Sequence, residues 1–458
     1  MIKKTVDVVL IGAGLTGLTA AFYLHKQGKR VAVIEKENRI GGQIESLHHK
    51  GFIFEKGPNT GVLSYPEVAE LFQDLSPLCE LETANEDAKR RLIWKGERFH
   101  EIPSSLLGGV TTSLFSLKDK FRILGEPFRA KGEDPNESVA SLTRRRLGKS
   151  FLNYAVDPFL SGVYAGNPET LITKYALPKL YRLEQAYGSF IKGAIAKAKQ
   201  PKTDRDKLAN KKVFSAIGGL EQIPKAIAKK IGAHSFYLAA KDTAIRPEGD
   251  HWSTRFSREG NSFELLSKQV VTTVGGYALP QLLPFLERDI LSKITNLRYA
   301  PVVQISVGIK DTGNLHFNAF GGLVPSCEKR DVLGILFPSA CFEGRAPQKG
   351  ALFSFFIGGV KRVELTQKTD EELTALVLDH LHSMLKFPKE VEPDLIHIFR
   401  HPRAIPQYEQ TSEERFKSID RIQREYKGLI LAGNIKDGIG MSDRIKQGVS
   451  IARELADA

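Results

Sequence analysis

The distribution of apolar and polar positions at the start of the chain predicts a strand, a turn, a helix and a second strand. Residues 6–11 form a short apolar run, glycines punctuate residues 12–17, and helix-forming residues follow at 18–27. A second apolar run at residues 30–34 ends before Glu35. Two apolar strands joined by a helix predict a βαβ unit in a parallel sheet.

After this unit the pattern becomes largely helical. Residues 66–75 predict a helix, and residues 88–98 predict a strand, a turn and a strand. Strand patterns then nearly vanish between residues 104 and 210. Helices are predicted there at residues 117–128, 138–147, 150–160 and 187–199. The charge-dense residues 201–212 predict a mobile loop.

Strand patterns return after this helical insertion, which predicts domains built from discontinuous segments. The run Val270 to Val274 is apolar enough for a buried strand. The predicted strands are 213–214, 236–245, 252–257, 263–275, 301–309, 351–359 and 429–434. Helices are predicted at residues 369–385 and 444–455.

Length and composition limit the class of protein. The chain has 458 residues, enough for two or three domains. Its three cysteines are scattered and form no CxxC pair, which indicates neither a disulfide framework nor a thiolate metal site and suits a reducing, cytoplasmic compartment. The histidines lack suitable partners, so no metal is expected. No apolar run approaches the roughly 20 residues of a bilayer-spanning helix, which excludes an integral membrane protein.

The net charge of +13 predicts an attraction for anions. A polycarboxylate substrate, anionic lipid headgroups and nucleic acid are candidates, besides simple solubility. Nucleic acid ranks last because no nucleic-acid-binding motif accompanies the charge. In the predicted helix 187–199, Lys192 and Lys197 lie beside Ile191 and Ile195. This pattern suits a helix on an anionic membrane surface and equally suits a solvated charged face.

The glycines of the first unit match the chemistry of a dinucleotide site. Gly12 would make the tight turn, Gly14 would let the backbone approach a pyrophosphate, and Gly17 would let helix and strand pack closely. The N-terminus of the helix would then face the phosphates. Glu35 lies where an acid accepts hydrogen bonds from ribose hydroxyls.

Two further glycine-rich stretches indicate which dinucleotide cofactor the site would bind. Residues 39–43 (RIGGQ) and 51–58 (GFIFEKGP) indicate a second close backbone approach to an extended cofactor. This run resembles the FAD-binding opening of the flavin amine oxidase superfamily. Residues 438–443 form another glycine turn before a helix, whose dipole and free N–H groups would stabilise negative charge on a reduced flavin.

Several separated stretches resemble one family, the protoporphyrinogen oxidases of haem biosynthesis. The resemblance keeps the family's order from residue 5 to residue 455. Its motifs are DPFLSGVYAGNP (157–168), FSAIGGL (214–220), FGGLVP (320–325), GRAP (344–347), AIPQY (404–408) and the ending 433–443. The resemblance implies oxidation of protoporphyrinogen IX to protoporphyrin IX by three two-electron transfers to FAD, with oxygen as acceptor and release of H2O2.

The fold that this resemblance implies combines α/β and α+β architecture. It contains a discontinuous Rossmann-like FAD domain, a mixed-sheet substrate-binding domain and a helical domain that faces the membrane. The FAD domain is predicted at residues 1–75, 213–290 and 420–458, the substrate domain at 76–103 and 291–419, and the helical domain at 104–212.

The resemblance also implies site residues. Gly162 would place its backbone against the macrocycle near the reacting carbon, Arg90 would pair with a propionate, and Phe320 would stack on a pyrrole ring. The residues implied to bind FAD are Gly12, Ala13, Gly14, Leu15, Thr16, Gly17, Glu35, Lys36, Gly41, Gly42, Gln43, Gly57, Pro58, Asn59, Thr60, Ala244, Ile245, Gly433, Asn434, Gly438, Gly440, Met441, Ser442 and Asp443.

Alternatives stay open because the chain departs from the family pattern. Glu45 stands where animal members carry arginine, and residues 275–280 are looser than the family's turn. Oxidation of coproporphyrinogen III to coproporphyrin III is the first alternative. A carotenoid desaturase or amine oxidase is more distant, and a flavin-binding membrane scaffold without turnover is the non-enzymatic one. Implied partners are oxygen or another acceptor such as a quinone, ferrochelatase, and the inner face of the cell membrane, for a monomer or a dimer.

Overall fold

The computed structural model describes residues 1–103 and 112–456. The start of the predicted helical domain, residues 104–111, lies outside this range. The strands in chain order are β1 (Ile2–Thr5), β2 (Val8–Ile11), β3 (Val31–Ile34), β4 (Ser46–His49), β5 (Phe52–Glu55), β6 (Gly61–Val62), β7 (Leu81–Thr83), β8 (Arg91–Lys95), β9 (Arg98–Glu101), β10 (Val213–Ala216), β11 (Phe236–Tyr237), β12 (Lys241–Glu248), β13 (His251–Arg258), β14 (Asn261–Ser267), β15 (Gln269–Thr272), β16 (Tyr299–Ile309), β17 (Gly321–Leu323), β18 (Gly334–Leu336), β19 (Ala351–Gly358), β20 (Leu395–Pro406) and β21 (Leu429–Leu431).

Helices connect and cover these strands. They are α1 (Leu15–Lys26), α2 (Pro66–Leu75), α3 (Leu117–Leu124), α4 (Val139–Arg146), α5 (Lys149–Phe151), α6 (Asp157–Tyr164), α7 (Thr173–Ala176), α8 (Pro178–Tyr187), α9 (Phe190–Ala198), α10 (Asp204–Lys207), α11 (Gln222–Ile231), α12 (Leu279–Leu282), α13 (Arg288–Thr295), α14 (Pro338–Cys341), α15 (Asp370–Ser383), α16 (Ser412–Glu425) and α17 (Met441–Ala456).

A parallel sheet in the order β11-β3-β2-β15-β21 forms the nucleotide-binding layer. Strands β2 and β3 consist of fully buried aliphatic residues, as expected for central parallel strands covered on both faces. Val270 in β15 pairs with Val9 on one side and with Leu429 on the other. The sheet therefore joins segments from the beginning, the middle and the end of the chain.

A mixed sheet in the order β20-β16-β19-β18-β17-β8-β9 forms the second layer. Its pairs are antiparallel except for the parallel pair of β17 and β8. Helix α15 covers one face with a core that includes Leu373 and Val377. A capping box between Thr369 and Glu372 fixes the start of this helix. The predicted mixed α/β class with several sheets is confirmed, and the predicted domain boundaries stay a prediction.

The described part of the insertion is helical, but three predicted elements differ. The predicted helix 117–128 ends as α3 at Leu124, because Gly125 caps it and Pro127 lies in a 3-10 turn. The predicted helix 150–160 is interrupted by a π-helical turn before α6, where Pro158 lacks the N–H that would continue the ladder. The predicted loop 201–212 contains α10, whose Arg205 binds Glu67.

A buried charge network holds the insertion together. Arg146 is fully buried, and its guanidinium donates to Glu126 at 2.7 Å and to Glu184 at 2.9 Å. Glu126 also accepts from the hydroxyl of Ser189 at 2.5 Å, at the start of α9. Arg146 is therefore a structural charge, neutralised by two glutamates and shielded from solvent, and it adds nothing to the basic surface.

Another predicted strand divides in two. The run 263–275 contains β14, which pairs with β1 and β13, and β15, which lies in the parallel sheet. Only Lys268 separates them, so the apolar pattern did not reveal the change of sheet.

Candidate active site

The glycine turn between β2 and α1 has the shape of a phosphate cradle. Gly12 has φ of +100°, and a Cβ on Gly17 would lie 2.1 Å from the carbonyl oxygen of Gly12. A Cβ on Gly14 would meet nothing within 4 Å, so its backbone borders open space. Gly14 caps α1 without a side-chain acceptor, and no acidic residue lies in the first turn, which includes Leu15 and Thr16. The first N–H groups of this helix can thus face an anion.

Glu35 lies beside this turn at the end of β3. It is 8% exposed, and its carboxylate accepts from the N–H of Ala13 at 2.7 Å and of Glu37 at 3.0 Å. A carboxylate has about four acceptor sites, so capacity remains for hydroxyl donors. Lys36 points outward, with its Nζ 3.5 Å from the Glu37 carboxylate.

The second glycine stretch packs directly on the first. The N–H of Gly41 donates to the carbonyl of Ala13 at 2.8 Å. A Cβ on Gly42 would lie 3.2 Å from the Cα of Gly14. Gln43 and Gly42 are exposed at the edge of the cradle, and Arg39 donates to the Gly42 carbonyl at 2.6 Å.

The segment after β5 continues this surface. A Cβ on Gly57 would lie 2.1 Å from the carbonyl oxygen of Gln43, so the two loops touch. Asn59 is buried and accepts from the Ser354 hydroxyl at 2.7 Å, while its neighbours Pro58 and Thr60 are half-buried. Asn59 therefore joins the loop to β19 in the mixed sheet.

The remaining predicted residues of the middle segment lie on β12. The backbone just before this strand reaches the cradle, because the N–H of Ala240 donates to the Glu35 carbonyl at 2.9 Å. Ala244 is half-buried, and the side chain of Ile245 is fully buried in the core. Ile245 therefore presents no exposed surface to a ligand, whereas Ala244 keeps a partly exposed one.

The closing glycine turn has fewer free backbone N–H groups than the sequence predicts. The N–H of Gly438 donates to the Tyr408 hydroxyl at 3.0 Å, and the N–H of Gly440 donates to Asp443 Oδ2 at 3.0 Å. These two amides are engaged within the protein. Free donors are expected only in the first turn of α17, which begins at Met441 and Ser442.

The same turn is fixed by side chains that the sequence did not single out as ligands. Arg444 donates to the carbonyls of Asp437 and Gly438, each at 2.9 Å. Burial raises the pKa of Tyr408 to about 12, so its hydroxyl stays protonated. Upstream, the N–H of Gly433 donates to Gln447 at 2.9 Å, and the half-buried Asn434 follows.

A second group of residues forms around β17 in the mixed sheet. Gly162 on α6 packs against this strand, since a Cβ there would lie 2.4 Å from Cδ2 of Leu323. Phe320 precedes the strand, and its N–H donates to the Arg90 carbonyl at 2.8 Å. The predicted Gly162, Phe320 and Arg90 are thus carried by elements that contact one another.

Arg91, which the sequence analysis missed, lies closer to this group than the Arg90 side chain. The guanidinium of Arg91 lies 5.8 Å from the centre of the Phe320 ring. The Arg90 side chain is 56% exposed and donates to Glu101 at 2.9 Å. Trp94 is buried in the core below the sheet, so strand alternation directs Arg91 and Lys95 to the opposite face. That alternation was the available signal.

The helical insertion contacts the face of β8 that carries Lys95. Lys95 Nζ lies 4.6 Å from the centre of the Tyr154 ring and donates to the carbonyl of Leu114 at 2.8 Å. Arg91 is itself exposed and lies on the same face of β8 as Lys95, the face that the insertion approaches.

Comparisons with known proteins agree with a flavin fold. The family described as flavin-containing amine oxidoreductase matches residues 15–456. Protoporphyrinogen oxidase from Oryza sativa is 30% identical, with 99% of this chain and 89% of the relative covered. Coproporphyrinogen III oxidase from Bacillus subtilis is 24% identical, with 96% of each covered. A solved structure from Exiguobacterium, provisionally described as a protoporphyrinogen oxidase, has a TM-score of 0.80 at 20% identity and 98% coverage of both chains.

Proposed function

The chain belongs to the flavin-containing amine oxidoreductase family and is an FAD-dependent oxidoreductase, and from this premise we propose that it oxidises protoporphyrinogen IX to protoporphyrin IX in haem biosynthesis. The observation that carries the proposal is the proximity of Gly162, Phe320 and Arg91 to β17: Gly162 packs against Leu323 of this strand, and Arg91 lies 5.8 Å from the Phe320 ring that precedes it. An aromatic ring beside a guanidinium suits a pyrrole that bears a carboxylate. The names of the plant relatives support the same substrate.

The residues of this chain would bind and orient both molecules. The amides at the start of α1 and the Glu35 carboxylate would hold the phosphates and a ribose of FAD, and the open space at Gly14 fits this role. The backbone of Gly162 would lie against the macrocycle, Phe320 would pack on a pyrrole, and Arg91 would bind a propionate more directly than Arg90. FAD supplies the two-electron acceptor for the hydride that leaves the substrate.

The overall reaction would consume oxygen. Conversion of the porphyrinogen to the porphyrin removes six electrons and six protons, so three O2 become three H2O2. The expected yield is therefore three H2O2 for each porphyrin, measured by peroxide and porphyrin fluorescence assays. Undiminished anaerobic turnover without an added acceptor would contradict oxygen as the acceptor.

Coproporphyrinogen III is the second candidate substrate, supported by the Bacillus relative. It carries four propionates instead of two, and the net charge of +13 does not disfavour it. Parallel assay of both porphyrinogens by fluorescence tests the choice. A higher kcat/KM for coproporphyrinogen would overturn our first choice, and no turnover of either by FAD-loaded protein would leave the non-enzymatic scaffold.

We also propose a peripheral membrane contact through α3. Leu117, Phe121 and Leu124 follow helical spacing on α3 and are 71%, 72% and 66% exposed, and Phe128, in the 3-10 turn after the helix, is 89% exposed. Cationic side chains flank this stripe at Lys118 and Arg122. Within residues 1–103 and 112–456, no helix combines the length and apolarity needed to cross a bilayer.

Vesicle sedimentation tests the membrane contact. Phe121→Ser/Phe128→Ser should lose binding to vesicles with anionic lipid, whereas Val363→Ser, a control at an exposed apolar residue elsewhere, should keep it. Equal binding by all three proteins would contradict the contact. This contact would place the protein on the cytoplasmic face of the cell membrane, and transfer of product to ferrochelatase stays a prediction, as does the choice between monomer and dimer.

A further inference from the structure

One turn, which follows β19, holds both ends of the helix that carries Gly162. At the C-terminal end of α6, the Ala165 carbonyl accepts from the N–H of Val360 at 2.8 Å. At the N-terminal end, the ammonium of Lys361 donates to Asp157 Oδ1. Neighbouring residues of a single turn therefore contact α6 at both of its ends.

The Asp157 carboxylate also ties α6 to the segment after β17. Its Oδ2 accepts from the N–H of Ser326 at 2.8 Å, and Lys361 donates to the Ser326 hydroxyl at 2.9 Å. The side chains of Asp157 and Lys361 are 9% and 23% exposed. Because the pair is shielded and shares a third partner, its geometry is better defined than that of an exposed ion pair.

This three-way contact lies on the same helix as a tight part of the site. Gly162 and Leu323 lie where α6 and β17 approach most closely, with only 2.4 Å between a Cβ on Gly162 and Leu323 Cδ2. Asp157 is five residues before Gly162, about 7.5 Å along a continuous helix. A movement of the helix start is therefore passed to Gly162.

We propose that Asp157 and Lys361 are positioning residues, whose ion pair fixes the spacing between the Gly162 backbone and β17 and so the orientation of the bound porphyrinogen. This inference rests on the proposed function and adds two residues that contact neither Phe320 nor Arg91 in any interaction described above. They act through α6.

Lys361→Met is the main variant, and Arg362→Met is its matched control. Arg362 lies on the same turn but pairs with Asp331 at 2.9 Å, away from α6. Lys361→Met should lower kcat about 10- to 100-fold, because a displacement near 1 Å of a positioning element costs about that much. KM should change less than about threefold, because binding contacts are kept. Arg362→Met should stay within about twofold of the parent.

Further measurements separate positioning from a merely structural role. Lys361→Arg should recover most of kcat, because it keeps the charge and a donor. Hydrogen–deuterium exchange should be faster in residues 157–165 of Lys361→Met but not of Arg362→Met, at equal FAD content. Asp157→Asn/Lys361→Met leaves no unpaired charge and should be as slow as Lys361→Met.

The outcomes are distinguishable. A parent protein that oxidises neither porphyrinogen overturns the proposed function. An active parent with equal kcat in Lys361→Met and Arg362→Met overturns the positioning role. Recovery of kcat in the double variant would assign the loss to an unpaired charge and also overturn it. If Lys361→Met does not fold, Asp157→Asn, which keeps the shape of the side chain, must show the loss of kcat.

Discussion

Gly162→Ala tests the substrate site at its tightest contact. The added Cβ would lie 2.4 Å from Leu323 Cδ2, with Cγ and Cδ1 at 3.6 and 3.7 Å. Since carbon atoms pack at about 3.5–4.0 Å, the helix or the leucine must move by roughly 1 Å. Overpacking of this kind costs about 1–3 kcal/mol. If the helix moves, loss of alignment should lower activity about 10- to 100-fold.

Steady-state porphyrin fluorescence measures this effect, with the bound flavin quantified by absorbance. We expect kcat/KM of Gly162→Ala to fall 10- to 100-fold at unchanged FAD content. Leu323→Ala removes the clashing carbons, so Gly162→Ala/Leu323→Ala should be more active than Gly162→Ala alone. Full activity of Gly162→Ala, or strictly additive losses in the double variant, would refute the proposed role of this contact.

Three further predictions address the cofactor, the substrate carboxylate and pH. Glu35→Ala should lower the FAD retained after dialysis relative to the exposed control Glu37→Ala, and equal flavin content would refute the ribose assignment. Arg91→Ala should raise KM about tenfold while Arg90→Ala changes it less than twofold, and the reverse order would restore Arg90 as the carboxylate ligand. Burial raises the pKa of Glu55 from 4.5 to about 7. The folded state thus holds this proton more tightly than the unfolded chain, so stability is full below pH 4.5 and falls by about 3 kcal/mol as pH rises to 7. Glu55→Gln should flatten this decline in thermal unfolding followed by flavin fluorescence, and identical profiles would contradict it.

The sequence predicted an element correctly where residues at its ends, such as a proline at a helix start, mark its limits. Helix α2 spans residues 66–75 as predicted, because Pro66 at its first turn fixes the start. Strands β2 and β3 were visible as aliphatic runs around the glycine turn. The geometry of two glycines in this turn also follows the fingerprint, since Gly12 adopts a positive φ and Gly17 packs against the carbonyl of Gly12.

Features that depend on distant partners could not be predicted in the same way. Alternation with Trp94 places Arg90 and Arg91 on opposite faces of β8, but which face meets the insertion follows from the pairing of β8 with β17, more than 200 residues later. The amides of Gly438 and Gly440 looked free because their partners, Tyr408 and Asp443, are identified only by the folded turn. Burial of Arg146 likewise depends on two separate glutamates.

The composite parallel sheet has a consequence for synthesis of the protein. Thr16 donates to the Arg444 carbonyl at 3.3 Å, and α17 packs into the core that contains β2 and α1. A ribosome therefore releases the N-terminal half of the nucleotide fold long before the residues that complete it. Such late, long-range closure favours slow folding and exposes apolar strand surface in the interim. We expect nascent chains that end before residue 429 to depend on chaperones and to retain no flavin.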